Sequence, residues 1–147
     1  MDYLPEGDPS IDKIADAVVE LLDFLKIAQF NLIGHSMGGY IGLSIKKRCN
    51  GCRKLVLMNS TYLADNEDKI RNRLRMAFLV FEAKSLIVSQ SIPRLFYKYS
   101  AEDQLVCNLI KEAQLIKPEA IAYASIAMSK RAQNIDLVIE HQEDVLI

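Results

Sequence analysis

The run Gly34-His35-Ser36-Met37-Gly38 constrains this chain more than any other stretch. The apolar segment "QFNLIG", residues 29 to 34, reads as a short buried strand. From Met37 to about Arg48 the pattern is helical, with Ile41 and Ile45 four apart and Lys46, Lys47 and Arg48 at the negative end of the helix dipole. Strand must therefore become helix within a few residues. Gly34 and Gly38 remove side chains that would collide where the two elements approach. Ser36 is then forced into a strained turn with its oxygen pointing out of the fold. At the start of a helix, the Met37 backbone N–H has no intrahelical acceptor and can donate to an oxyanion. A serine hydroxyl is a weak nucleophile that proteins expose and activate with an adjacent base. The G-x-S-x-G spacing alone is weak. A strand before it and a helix after it separate it from a turn that merely connects the two.

The elements on either side agree with that reading. Residues 10 to 26 form an amphipathic helix, with Ser10 as N-cap, Asp12 in the first turn, and Ile11, Ile14, Ala15, Val18, Leu21, Leu22 and Leu25 at helical spacing. Asn50-Gly51 ends the helix that follows Ser36, and "KLVLMNS", residues 54 to 60, reads as a second buried strand. Two continuous apolar strands joined through a helix imply a parallel sheet with a right-handed crossover. From Asp68 to about Lys130 the pattern predicts three or four helices and no strand of comparable quality. Ser100 with Asp103 resembles a capping box, and Pro118 suits a first helical turn. "EDVLI", residues 143 to 147, reads as the beginning of a further strand.

With 147 residues, half of them hydrophobic and a quarter charged, the chain is expected to fold as one α/β domain. A net charge of −1 gives no general attraction to nucleic acid or an anionic membrane surface. No apolar run is long enough to span a bilayer. Met1 to Glu6 lacks the basic and apolar regions of a secretory signal, so a cytoplasmic chain is expected, provided that Met1 is the natural start. Three cysteines make an unlikely disulfide framework, and Cys49-Asn-Gly-Cys52 follows a helix instead of opening one. Neither a second C-x-x-C nor paired histidines exist to complete a zinc site, so these are read as ordinary thiols and no metal or organic cofactor is implied.

"FNLIGHSMGGYIGL" resembles the nucleophile elbow of the α/β-hydrolase superfamily, in the form shared by many esterases, lipases, thioesterases and carbon–carbon bond hydrolases. "SIDKIADAVVELLDFLKI" is similar to the helix leading into the elbow strand, and "KLVLMNSTYLAD" to the next strand and its loop. The helical insert resembles the cap of those enzymes, and "RAQNIDLVIEHQEDVLI" the return to the core. The resemblance implies a partial α/β-hydrolase fold: central core over 1–67, helical cap or lid over 68–131, and return to the core over 132–147. It implies Ser36 as nucleophile, the Met37 amide in the oxyanion hole, and Gly34, His35 and Gly38 as structural elbow residues. The substrate would be a small, apolar acyl compound. The insert's apolar residues serve equally as walls for such a substrate or as plain hydrophobic core.

The family's order is nucleophile, acid, histidine. The resemblance puts the acid after the strand that "EDVLI" begins, the histidine later still, and the second oxyanion donor before Met1. The chain is therefore expected to be a fragment, or to receive its missing half from another chain. Two residues compete weakly for the vacant roles. Asp65 sits in the loop after the second strand, where some family members carry the acid, but beside Asn66, Glu67 and Asp68 it reads better as a capping or loop carboxylate. His141 precedes the last strand, the wrong place in the order for a general base. A serine hydrolase and a non-catalytic remnant or binding module both remain open. An exposed parallel strand edge would also invite self-association.

Overall fold

The computed structural model describes residues 4–98 and 102–147. Among these residues six α-helices and three strands follow one another as α1 (Ile11–Phe24), β1 (Phe30–His35), α2 (Met37–Arg48), β2 (Cys52–Met58), α3 (Glu67–Ser91), α4 (Gln104–Leu115), α5 (Pro118–Ser129), α6 (Ile135–Glu140) and β3 (Val145–Leu146), with a single 3-10 turn at Pro93–Leu95. The strands form one parallel sheet in the order β1-β2-β3, as continuous apolar strands joined by helices require. Leu32 lies opposite Leu55, and Leu55 opposite Val145. This row faces the core, where Leu55 is fully buried among Leu43, Leu57 and Leu137.

Ser10 caps α1 as expected, its Oγ accepting from the Asp12 N–H at 3.1 Å. The apolar stripe of α1 is buried only in its first half. Ile11, Ile14 and Ala15 pack inward, whereas Leu21 and Leu25 are more than half exposed, with no element among the described residues covering them. At the end of α2, the buried Lys46 amine donates to the carbonyls of Cys52 and Arg53, at 3.0 and 2.6 Å, and pairs with Asp144 at 3.1 Å. One side chain thus ties α2 to the beginnings of β2 and β3. Cys52 opens β2 beneath it, and burial pushes its thiol pKa up despite the nearby lysine, which suits a structural role.

All the helices between β2 and β3 fall where the sequence expects helices, apart from α6, whose six residues are too short to show a period. Pro118 begins α5. Asp103 is the N-cap residue of α4, while Ser100, the other half of the expected capping box, lies outside the described residues. Helix α3 has a break at Ala83 (φ −131°, ψ 31°). Before the break it packs on α5 through Ala77, Val80 and Ala122; after it, Lys84 donates to the terminal carbonyls of α4 at Gln114 and Ile116, at 2.7 and 3.0 Å. The helix bends where it gains α4 as a second partner, while Ile87 beyond the break still packs on the cluster with α5. On the face of the sheet away from α2, Ile33, Val56 and Leu146 form a row across the three strands, with Ile33 71 % and Leu146 66 % exposed.

Candidate active site

The passage from β1 to α2 turns on Ser36, whose backbone adopts φ 51°, ψ −118°. A non-glycine residue in such a conformation costs about 1–3 kcal/mol and persists only where its surroundings fix it. Three hydrogen bonds do so. The Ser36 N–H donates to the Met58 carbonyl at 3.0 Å, and the Ser36 carbonyl accepts from the Gly39 N–H at 3.0 Å and from the Ser60 hydroxyl at 2.7 Å. The Ser36 side chain is left exposed and makes no hydrogen bond among the described residues. Met37 is the first residue of α2, so its N–H has no acceptor within the helix.

The glycines divide the steric work differently from the sequence expectation. A Cβ on Gly34 would lie 2.5 Å from the Gly38 carbonyl oxygen and 2.6 Å from the Gly39 Cα, and one on Gly39 only 2.2 Å from the Ser60 Oγ. A Cβ on Gly38 would meet nothing within 4 Å. The close approach is therefore between Gly34 and Gly39, and Gly38 faces open space. The motif spacing drew attention to Gly38, whereas the contact depends on which side of α2 faces β1.

His35 ends β1 opposite Met58, exposed on the same side of the strand as Ile33. His141 lies at the C-terminus of α6, just before β3. Its carbonyl accepts from the Asp144 and Val145 N–H groups, and Asp144 pairs with Lys46, whose amine also holds the Cys52 and Arg53 carbonyls at the beginning of β2. Ser36 lies beyond the opposite ends of the parallel strands. His141 is thus at the wrong end of the sheet to serve Ser36 as a base.

Asp65 is neither a cap nor free to orient a histidine. Asn66 is the N-cap of α3, its side chain accepting from the Lys69 N–H at 3.0 Å. The Asp65 side chain is 2 % exposed and paired with two arginines. Arg131 grips it at both oxygens, Nη1 to Oδ2 at 2.7 Å and Nη2 to Oδ1 at 2.8 Å, while Arg73 Nε donates to Oδ2. Burial alone would push its pKa up, but the hydrogen bonds and charges of Arg131 and Arg73 outweigh that and hold it at about 2. The Arg131 guanidinium also stacks over the Tyr40 ring, 4.0 Å from its centre, one turn after Ser36 on α2. Arg73 comes from α3 and Arg131 from just after α5, so the cluster joins the helical insert to the elbow helix. Periodicity carries no signal for such a cluster. A carboxylate destined for the interior needs a cation, but nothing local says which one.

The model of the alpha/beta hydrolase fold matches residues 4–105, most of the chain. The chain belongs to the alpha/beta hydrolase fold family. Among solved structures, a thermophilic esterase from Thermogutta terrifontis, solved with malate bound, superposes with a TM-score of 0.82 at 24 % identity, over 92 % of this chain and 52 % of the esterase. The enol-lactonase from Burkholderia xenovorans LB400 gives 0.72 at 18 % identity, over 87 % and 50 %. An esterase from Exiguobacterium antarcticum gives 0.72 at 15 % identity, over 86 % and 50 %. At these identities the likeness concerns the fold. The chain spans about half the length of these solved relatives. No curated protein matches it. No helix among the described residues is long and apolar enough to cross a membrane.

Proposed function

We propose that this chain carries the nucleophile of a serine hydrolase acting on an ester, thioester or related acyl substrate. The strained, exposed Ser36 at the junction of β1 and α2 carries the reading. Its Oγ attacks the acyl carbonyl and gives up its proton to a base. The Met37 N–H donates to the oxyanion as negative charge develops there. Collapse of the tetrahedral intermediate expels the protonated leaving group and leaves an acyl-enzyme on Ser36, which water then hydrolyses. Residues 1–67 supply the elbow and residues 68–131 act as a cap over it, with residues 132–147 returning to the core. The free thiols of Cys49 and Cys52 suit a cytoplasmic setting. The solved relatives described above are esterases and an enol-lactonase, and their acyl chemistry motivates the same reading here.

A second reading rests on the Ser36 hydroxyl, which has no partner among the described residues, and on Asp65, whose oxygens are already taken by arginines: a module that keeps the family's elbow without its chemistry. Hydrolysis of p-nitrophenyl acetate by the purified chain separates the two. Turnover above that of free imidazole and lost in Ser36→Ala supports the hydrolase; equal rates for both proteins favour the module.

A further inference from the structure

A cavity of about 240 Å³ lies between the start of α1, one face of α2 and the segments that follow β2 and α5. Tyr40, Ser44, Lys47 and Arg48 line it from α2, at the three- and four-residue intervals of a single helical face. No described residue from Gly34 to Gly38 lines it, so it is separate from the elbow. The chain as a whole carries 18 basic and 19 acidic side chains. This wall is lopsided by comparison. Among the described residues Lys47, Arg48, Lys130 and Arg131 stand on it as cations, and Asp12 as the one anion. The helix dipole explains why α2 ends in basic residues and why Lys130 follows α5, but not why both ends meet on one cavity.

The wall is rich in donors and short of acceptors. Asp12 Oδ1 already accepts from the Ser44 hydroxyl at 2.5 Å. Lys130 has only the fully exposed Asp8 at 3.8 Å, a pair worth little. The Lys47 amine is exposed and has no partner among the described residues. The Ser10 and Thr61 hydroxyls each accept a backbone N–H at 3.1 Å and keep their own protons to donate. Arg131 spends its Nη donors on Asp65 and on the Met128 and Leu63 carbonyls, at 3.0 and 3.1 Å for the carbonyls, and its Nε is left buried without a partner. A buried donor without an acceptor calls for one.

We infer that this cavity binds a phosphate group, as the free anion or as a small hydroxylated monoester. Near neutral pH a phosphate brings close to two negative charges and only acceptor oxygens on one compact centre, which complements such a wall. Lys47 and Lys130, both exposed, meet it from the solvent side. The volume is below that of a drug-sized pocket and suits a phosphate with a short polyol attached. The inference is independent of Ser36 as nucleophile.

Equilibrium dialysis of the whole chain against radiolabelled inorganic phosphate at low ionic strength tests this. Label should be retained at millimolar phosphate. Lys47→Gln and Lys130→Gln should each weaken retention by about tenfold, the typical loss for a charge-assisted hydrogen bond. Lys111→Gln, on α4 and outside the wall, should bind as the parent does, and so should Ser36→Ala. Glycerophosphate that displaces the label at lower concentration than unlabelled phosphate identifies the monoester as the ligand; displacement only at equal or higher concentration identifies the free anion. Glycerol should displace nothing. No retained label, equal losses in Lys47→Gln and Lys111→Gln, or retention lost in Ser36→Ala would overturn the proposal.

Discussion

Asp65 and Arg131, 66 residues apart in sequence, meet in a two-point ion pair whose side chains are 2 % and 6 % exposed. Removing one partner of a buried pair leaves the other charge uncompensated, which typically costs about 3–5 kcal/mol. Asp65→Asn is expected to lower the free energy of unfolding by that order in urea titrations at neutral pH. Arg131→Lys, which keeps the charge but not the fork, should cost less.

The same carboxylate gives an acid signature. Its folded pKa of about 2 lies below the ordinary 3.8, so the stability it contributes is complete above about pH 4 and is lost as pH falls through the folded value. The difference corresponds to about 2 kcal/mol. Urea midpoints measured from pH 6 down to pH 2 should fall for the parent and fall less steeply for Asp65→Asn. Parallel curves would show that Asp65 is not the group being titrated.

Much of this fold is legible in the sequence because it obeys local rules. Ser10 caps α1, Asn50-Gly51 ends α2, and the runs read as strands at 29–34 and 54–60 are strands at 30–35 and 52–58 that pair in parallel, all from periodicity and breakers. The free N–H of Met37 follows from its position in the helix alone. What stayed hidden depends on elements distant in the chain. Gly39 meets Ser60 across the β1–α2 and β2–α3 junctions, so the sequence motif pointed instead to Gly38. Asp65 reads as a cap when only its neighbours are considered, and its arginines lie 8 and 66 residues away.

The glycine geometry predicts opposite results for two adjacent-looking substitutions. Gly34→Ala puts a methyl 2.5 Å from backbone that cannot give way, so it should destabilise the fold by about 1–3 kcal/mol or more. Gly38→Ala adds a methyl in open space near the start of a helix and should leave the melting temperature unchanged or slightly higher.

The Tyr123 hydroxyl is buried and has no hydrogen-bond partner among the described residues. Leaving such a group unsatisfied typically costs about 1–3 kcal/mol. Tyr123→Phe keeps the ring in its apolar cluster and removes that cost, so it should match or exceed the parent in a thermal melt. A clear loss of stability would mean that the hydroxyl has a partner in solution.

The row Ile33, Val56 and Leu146 predicts self-association, because an apolar sheet face beside a β1 edge that no strand among the described residues covers favours pairing. Ile33→Lys should shift the purified chain toward monomer in light scattering after size-exclusion chromatography. Identical mass distributions for the two proteins would argue that another surface drives association.

The central claim is that the β1–α2 turn presents Ser36 as an activated nucleophile. Intact-mass measurement after treatment with a fluorophosphonate tests it most directly. The account predicts one phosphonyl adduct on the folded chain, mapped to the peptide containing Ser36, and absent from both Ser36→Ala and the urea-unfolded parent. No adduct above the unfolded control, or an adduct that persists in Ser36→Ala, would contradict it.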